Sequence, residues 1–291
     1  MLGIIINQFV SGLTYSALLF VVASGLVLVF GALRVINLAH GALYMLAAYM
    51  TYSLARLLPD QIWSFLLIVV IVFFVLAFIG GVIEFTLVRR IYRSEHIFQL
   101  VLTFGLVWII ADVVRVGWGV GLIALPRPQA FAGPVTLFGH SLPVYNLIIL
   151  GAAGVIALLL WLLLHKTDIG MVIRAITNNP DMASSLGVNV PMWRTWVFAL
   201  GCGMAGIGGV LSAPMASLSM GMDWKILMDL FIVIVIGGLG SLGGAMIGAF
   251  ILGQVNAFGI LILPRLALIF GFVAMAIVLL IRPMGLMGKE D

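Results

Sequence analysis

The residues with the clearest chemical meaning are concentrated in one polar segment, 166–187, which lies between two long apolar stretches. Thr167 and Asp168 have side chains that cap helix starts, so a short helix is predicted to follow them. Short capped helices outside a bilayer expose a compact surface, and the chemistry this indicates is recognition of another protein. The first predicted helix carries three residues of the proposed surface: Gly170, Arg174 and Ala175.

A second short helix is predicted directly after the first. Asn179 and Pro180 mark its start, with asparagine as the cap and proline at the first helical position. The helix covers 181–186 and ends at Gly187, since glycine tolerates the left-handed conformation of a helix cap. Two such helices form a compact knob that suits docking to a soluble partner. An amphipathic loop lying on the membrane surface stays an alternative, although the segment offers few large apolar anchors.

Polar side chains also interrupt the second apolar stretch. Asn37 and His40 lie there with Gly41 and Tyr44, and polar groups in an apolar helix are costly unless they face a cavity or the bundle interior. The sequence therefore predicts that these four residues line a substrate path, with the helix interrupted near Gly41. The alternative is that Asn37 lies at the membrane interface and His40 bonds a neighbouring helix.

Two runs of glycine have different predicted roles. The run 201–209 places small residues at helical spacing, which favours close packing of helix backbones. The run 237–248 is denser than packing requires and predicts a tight turn or a broken helix of the kind found along permeation paths. The residues of this second run assigned to the path are Gly238, Gly240 and Ser241.

Two carboxylates lie well inside the predicted spans, and both are expected to be paired. Asp112 and Arg115 are three residues apart and therefore share one helix face. Asp229 is expected to pair with Lys225, four residues before it. Pairing lowers the cost of a charge in the membrane, so structural roles are predicted for both carboxylates.

Several chemistries are excluded by the motifs. The four histidines lie on different segments without the spacing of a helical zinc site, and no phosphate-binding loop is present. Ser241 lacks the surroundings of a catalytic serine, and Cys202 is the only cysteine. The net charge of +4 is spread over loops and does not indicate nucleic-acid binding. We expect no catalytic site, no metal site and no cofactor in this chain.

The elements that must position these residues are membrane helices. Hydrophobic residues make up 64% of the chain and charged residues 8%, against about 25% charged in ordinary soluble domains. The predicted fold is all-α and polytopic, one transmembrane domain over 1–291 with a polar loop at 165–194. About nine spans are expected, with eight or ten as alternatives: 9–31, 35–57, 62–83, 97–116, 144–164, 195–217, 226–242, 245–263 and 266–282.

Basic residues predict the orientation. With the N-terminus outside, the loops on the inner side hold nine Lys and Arg residues and those on the outer side hold five. This places the C-terminus and the loop 165–194 in the cytoplasm. The outer stretch 117–143 contains four prolines and is predicted to be irregular. The nine inner residues are Arg34, Arg89, Arg90, Arg93, Lys166, Arg174, Arg194, Arg282 and Lys289.

Three motifs in this order resemble a known family. They are GLTYSALLFVVASGLVLVFGALRVINLAHGALYMLAAY at 12–49, DIGMVIRAITNNPDMASSLGV at 168–188 and GGLGSLGGAMIGAFILG at 237–253. Together they resemble the permease subunits of branched-chain amino acid ABC importers, with the LivH-like subunit as the closer match. The resemblance covers nearly the whole chain and ends with RPMGLMG at 282–288.

The resemblance implies function and partners. It implies import of a small solute across a bacterial inner membrane, with a second homologous permease, two cytoplasmic ATPase subunits that hold ATP and magnesium, and a periplasmic binding protein. Family members import branched-chain amino acids, urea, amides or aromatic acids. In the family the middle motif forms the coupling surface for the ATPase. We assign coupling to Thr167, Asp168, Gly170, Arg174, Ala175, Asn178, Ala183, Leu186 and Gly187.

A stand-alone secondary transporter or channel is the competing hypothesis. That class favours inverted repeats and a carboxylate near the middle of the membrane for ion coupling. No convincing repeat is present, and Asp112 and Asp229 look peripheral and paired. The importer is therefore the preferred interpretation.

Overall fold

The computed structural model describes residues 2–92, 94–137 and 140–288. Arg93 and Lys289, two of the basic residues used to predict orientation, lie outside the described residues. The helices of the described part are α1 (Leu2–Leu33), α2 (Ala39–Leu57), α3 (Ile62–Thr86), α4 (His96–Trp118), α5 (Val144–Lys166), α6 (Asp168–Asn178), α7 (Pro180–Ser185), α8 (Val190–Ser212), α9 (Met222–Gly237), α10 (Leu242–Ile262) and α11 (Ala267–Ile281).

The all-α polytopic fold is confirmed. Six helices in the described part of the chain, α1, α3, α4, α5, α8 and α10, are long and apolar enough to cross a membrane. The expected count of nine spans depends on α2, α9 and α11, which have 19, 16 and 15 residues. At about 1.5 Å per residue, α9 and α11 are shorter than the hydrocarbon core of roughly 30 Å. Neighbouring non-helical segments must complete any crossing that these two helices make.

The stretch after α4 is more regular than its prolines predict. It contains a short 3₁₀ turn, Gln129–Phe131, and an antiparallel hairpin of β1 (Pro134–Leu137) and β2 (His140–Pro143). The prediction of an irregular loop is therefore wrong for this part. Pro134 pairs with Pro143 at the open end of the hairpin, which is where strands tolerate a residue without an N–H donor.

Helix α8 lies at the centre of the bundle and packs against α1, α2 and α3. A methyl group added at Gly201 would lie 2.7 Å from the carbonyl oxygen of Gly25 in α1, and one at Gly203 would lie 2.6 Å from the Phe73 ring in α3. At Gly209 the nearest atom is the carbonyl oxygen of Tyr44 in α2, at 2.5 Å. The predicted packing role of the run 201–209 is confirmed.

Helix α2 begins deep inside the bundle. His40 Nε2 donates to the carbonyl oxygen of Val22 at 3.0 Å, and Val22 lies roughly three turns before the end of α1. The link 34–38 is not helical and runs back along α1 to reach this depth. Arg34, at its start, has a φ of +54°, which a non-glycine residue seldom adopts.

The predicted second span is consequently wrong at its beginning. A helix was expected over 35–57, interrupted near Gly41, but the interruption is the link 34–38. Gly41 lies in the first turn of α2, where a side chain would collide with the backbone of Asp223. The helix is interrupted at 34–38, where the chain reverses direction, and Gly41 allows α2 to lie close to α9.

Loops collect at two ends of the bundle. At one end, Arg89 follows α3 and contacts Pro191 at the start of α8, and Gly31 of α1 approaches Gly240 after α9. At the other end, Trp118 Nε1 donates to Ser53 Oγ at 2.7 Å. We call the first the knob end because it holds α6 and α7. This grouping of loops agrees with the one used for the basic residues.

The packing of α8 predicts different effects for two Gly→Ala changes. Gly209→Ala forces a methyl group to within 2.6 Å of Ala47 Cβ, and such overpacking costs about 1–3 kcal/mol. Gly151→Ala in α5 meets no atom within 4 Å, and alanine is favoured over glycine inside helices by about 0.5–1 kcal/mol. Thermal unfolding in detergent should show a lower melting temperature for Gly209→Ala only. Equal melting temperatures for the two variants would contradict the packing argument.

Candidate functional site

Both predicted caps of the knob, which we define as residues 167–187, are present. The Gly170 amide donates to Thr167 Oγ1 at 3.2 Å at the start of α6. The Met182 amide donates to Asn179 Oδ1 at 2.9 Å at the start of α7, where Pro180 takes the first helical position. These bonds satisfy backbone donors that helix starts otherwise leave free. The two-helix knob predicted from the sequence is confirmed.

The end of the knob is fixed by Gly187. Its φ is +87°, as the predicted left-handed cap requires, and the Val188 amide donates back to the carbonyl of Ala183 at 3.1 Å. Asn189 then caps α8, accepting from the Met192 amide at 3.2 Å. This third cap was not among those predicted, although Asn189 followed by Val190 and Pro191 carries the same signal. The connection between α7 and α8 is therefore short and is held by cap hydrogen bonds.

The knob is attached to the bundle by close backbone contact. A side chain at Gly170 would collide with the carbonyl groups of Leu163 and Leu164 at the end of α5. Ile176 and Ala183 are buried together with Val190, so the knob and the start of α8 share a small apolar core. Gly170 and Ala183, both assigned to coupling, thus attach the knob to α5 and α8.

The other assigned coupling residues lie on the surface. Leu186 is 79% exposed, and Met171 and Met182, which the sequence analysis did not single out, are 62% and 59% exposed. Exposed methionines outside the apolar spans are typical of surfaces that bind other proteins. The assigned residues exposed on this surface are Thr167, Asp168, Arg174, Ala175, Asn178, Leu186 and Gly187.

The residues predicted to line the path are buried within the single chain. Asn37 is 1% exposed, His40 0% and Tyr44 6%. Both amide atoms of Asn37 and the Nδ1 atom of His40 have no hydrogen-bond partner among the residues that the structure describes. Buried polar atoms without partners cost free energy, and native proteins keep few of them. These atoms mark a place suited to water or to a passing polar solute.

The hydrogen bonding and burial of the two carboxylates of α9, Asp223 and Asp229, were not predicted from the sequence. Asp229 Oδ2 accepts from the Tyr15 hydroxyl of α1 at 2.5 Å, whereas no ion pair joins it to Lys225 among the described residues. The predicted pairing with Lys225 is therefore wrong, because the tyrosine of the adjacent helix is closer. Asp223, which the sequence analysis passed over, is 3% exposed. The predicted pair of Asp112 and Arg115 is confirmed at 3.0 Å.

The second glycine run forms the predicted tight turn between α9 and α10. Gly238 and Gly240 have φ values of +99° and +78°, which favour glycine. Ser241 caps α10, accepting from the Gly244 amide at 3.0 Å. The turn lies at the knob end against Gly31 and the segment 284–288. Its nearest neighbours do not include Asn37 or His40, so the structure does not bring the two predicted parts of the path together.

Two cavities lie at opposite ends of the bundle. One of about 230 Å³ lies between α1 and the knob, lined by Arg34, Thr177, Asn178 and Arg194 among others. One of about 110 Å³ lies near Asp60 at the other end. Neither is lined by Asn37, His40 or Tyr44. Within residues 2–92, 94–137 and 140–288, no three His, Cys, Asp or Glu side chains are grouped to hold a metal ion.

Comparison with known proteins identifies the family. Residues 8–281 match the family described as branched-chain amino acid transport system, permease component. The chain belongs to this permease family. The high-affinity branched-chain amino acid transport permease LivH of Salmonella typhimurium is 27% identical over 296 residues, which cover 98% of this chain and 96% of LivH. BraD of Pseudomonas aeruginosa is 25% identical over 296 residues, with the same coverage.

A further relative also matches nearly the whole chain. A probable LivH of Methanocaldococcus jannaschii is 28% identical over 295 residues, which cover 95% of this chain and 90% of the relative. No solved structure matches the chain. Family membership confirms the resemblance found in the three motifs. Together with its apolar helices, it makes the chain a multi-pass membrane protein and a permease subunit of an ABC importer.

Proposed function

We propose that this permease moves branched-chain or other small apolar amino acids inward across a bacterial inner membrane. A periplasmic binding protein delivers the solute, and two ATPase subunits, which hold ATP and magnesium, drive the transport. The match of residues 8–281 to a branched-chain amino acid permease family carries the proposal. LivH and BraD, which match along 98% of this chain, are described as high-affinity branched-chain amino acid permeases.

The knob is the proposed docking surface for the ATPase. Its capped helices, its shared core with α8 and its exposed methionines support this role. In the proposed orientation the N-terminus is outside, and nine crossings place the knob end and the C-terminus in the cytoplasm. The excess of Lys and Arg at the knob end supports this orientation.

A second homologous permease completes the proposed transport unit, as a heterodimer. Asp229 is partly exposed on the bundle although it lies within a membrane helix. A carboxylate facing lipid is expensive, which supports a neighbour or a wet path on this side. Asn37, His40, Gly41 and Tyr44, with the turn at 238–241, are proposed to border the path when the transporter changes conformation.

Uptake by the reconstituted complex tests this function. With the second permease, both ATPases and the binding protein in vesicles, labelled leucine should accumulate only with ATP, and unlabelled isoleucine or valine should compete. Urea, acetamide and phenylalanine should not compete. The membrane complex alone should show no micromolar solute binding in calorimetry. The two ion pairs among the described residues, Glu84 with Arg89 and Asp112 with Arg115, include no residue assigned to the path, so neither is placed to clamp an amino acid there. Micromolar binding there would assign specificity to the permease.

Substitution of Gly187 tests the coupling role of the knob. Gly187→Val places a β-branched residue at a φ of +87°, which costs about 1–2 kcal/mol and displaces the end of α7. We expect at least a tenfold loss of uptake and of solute-stimulated ATP hydrolysis. Gly187→Asn is the matched control and should keep most activity, because asparagine tolerates the left-handed conformation. Undiminished uptake with Gly187→Val would contradict the assignment.

Substitution of His40 tests the path. His40→Leu removes the hydrogen bond to Val22 and the unpartnered Nδ1 atom while filling a similar volume. We expect the complex to assemble but uptake to fall at least tenfold. His40→Gln keeps a donor for the Val22 carbonyl and should retain more uptake. Uptake kinetics equal to those of the wild type in His40→Leu would make His40 a packing residue only.

A further inference from the structure

A buried carboxylate outside the predicted sites lies at the knob end of α3. Glu84 is 0% exposed and lies in the last turn of α3, just after the predicted span 62–83. Its Oε1 atom accepts from the Tyr92 hydroxyl at 2.8 Å, and its Oε2 atom accepts from Thr195 Oγ1 at 2.5 Å. Arg89 Nη2 lies 3.3 Å from the same Oε2 atom. The carboxylate is thus held by three side chains.

These donors belong to two different parts of the chain. Arg89 and Tyr92 follow α3 directly, whereas Thr195 lies in the second turn of α8. Arg89 Nη2 also lies 2.6 Å from Thr195 Oγ1 and 3.2 Å from the carbonyl oxygen of Pro191. Arg89 therefore joins α3 to the beginning of α8 through both a side chain and the backbone.

Two aromatic rings lie against arginines at the same cluster. The Arg89 guanidinium lies 4.7 Å from the centre of the Phe85 ring, and that of Arg194 lies 4.9 Å from the centre of the Tyr92 ring. Burial and the adjacent Glu84 carboxylate raise the pKa of the Tyr92 hydroxyl well above its ordinary value. Tyr92 consequently keeps its proton and remains a donor to Glu84.

The energetics of such a cluster make it sensitive to movement. A buried carboxylate is tolerated only while donors compensate for its lost hydration, and removing one donor exposes much of that cost. Thr195 and the backbone of Pro191 reach Glu84 and Arg89 only while the start of α8 stays against α3. Moving these elements apart is therefore opposed until another arrangement of donors is available.

The position of the cluster connects it to the knob. Helix α8 begins at Val190, directly after the caps at Gly187 and Asn189. Because this connection is short and capped, a displacement of α7 also displaces Pro191 and Thr195. Helix α8 also packs through its glycines against α1, α2 and α3. The start of α8 is thus the point at which movement of the knob enters the membrane bundle.

We propose that Glu84 is a positioning residue for energy coupling: its bonds to Arg89, Tyr92 and Thr195 lock the start of α8 to α3, so that movement of the knob is passed to the bundle. This inference depends on the proposed docking of an ATPase to the knob. A carboxylate that only supports folding would affect stability and assembly, whereas a coupling residue changes how much solute moves for each ATP hydrolysed.

Glu84→Gln in the complete reconstituted complex tests the proposal. The amide has nearly the same shape but no charge for Arg89, so the lock is weakened while the packing is kept. We expect an assembled complex that hydrolyses ATP but takes up at least tenfold less labelled leucine per ATP hydrolysed. Asp112→Asn is the matched control, because its ion pair with Arg115 is 59% exposed and lies within one helix. It should leave the ratio unchanged, and an unchanged ratio in Glu84→Gln overturns the proposal.

Thr195→Val tests the positioning role of Glu84 if the complex with Glu84→Gln does not assemble. This variant removes one donor and keeps the charge pair, and it should reduce the solute moved per ATP at least threefold. A normal ratio in Thr195→Val overturns the proposal. The wild-type complex tests the proposed function separately: absence of ATP-driven uptake in the wild type contradicts the importer assignment and removes the basis of this inference with it.

Discussion

The close approach of α8 to its neighbours is the constraint on which the rest of the bundle depends. In a membrane, lipid tails are as apolar as side chains, so helices associate through packing and hydrogen bonds rather than by escaping water. The glycines of α8 allow this packing: Gly201 lies against the backbone of Gly25, and Gly209 lies against that of Tyr44. Because three helices pack on α8 at such short range, a displacement of α8 must be accommodated by all three.

The tight centre also explains the reversal between α1 and α2. His40 can bond the carbonyl of Val22 only if the chain turns back along α1. The link 34–38 is therefore not helical, and Arg34 at its start adopts a positive φ. Non-helical backbone at membrane depth is tolerated where protein or a wet cavity surrounds it. The unpartnered atoms of Asn37 and His40 lie in this region. Broken helices with unpaired polar groups are suited to an element that rearranges during transport.

The knob combines rigidity with a direct connection to that centre. Its helices are capped at each start, Gly170 fixes it to α5, and Asn189 begins α8 immediately after it. A flexible connection would absorb a displacement, whereas consecutive caps transmit it. The Glu84 cluster lies at the start of α8, where Thr195 joins α8 to α3. The proposed docking surface is thus followed directly along the chain by α8, the helix on which α1, α2 and α3 pack.

The sequence by itself determined the features that are local. Apolar runs predicted the helices, and the caps of the knob, the left-handed Gly187 and the turn after α9 were predicted because they depend on neighbouring residues. The tertiary structure decided what depends on distant partners. Tyr15 rather than Lys225 bonds Asp229, the chain breaks at 34–38 rather than near Gly41, and Glu84 is held by Thr195, 111 positions away. Such pairings are set by how helices meet in space, and no local pattern of residues records them.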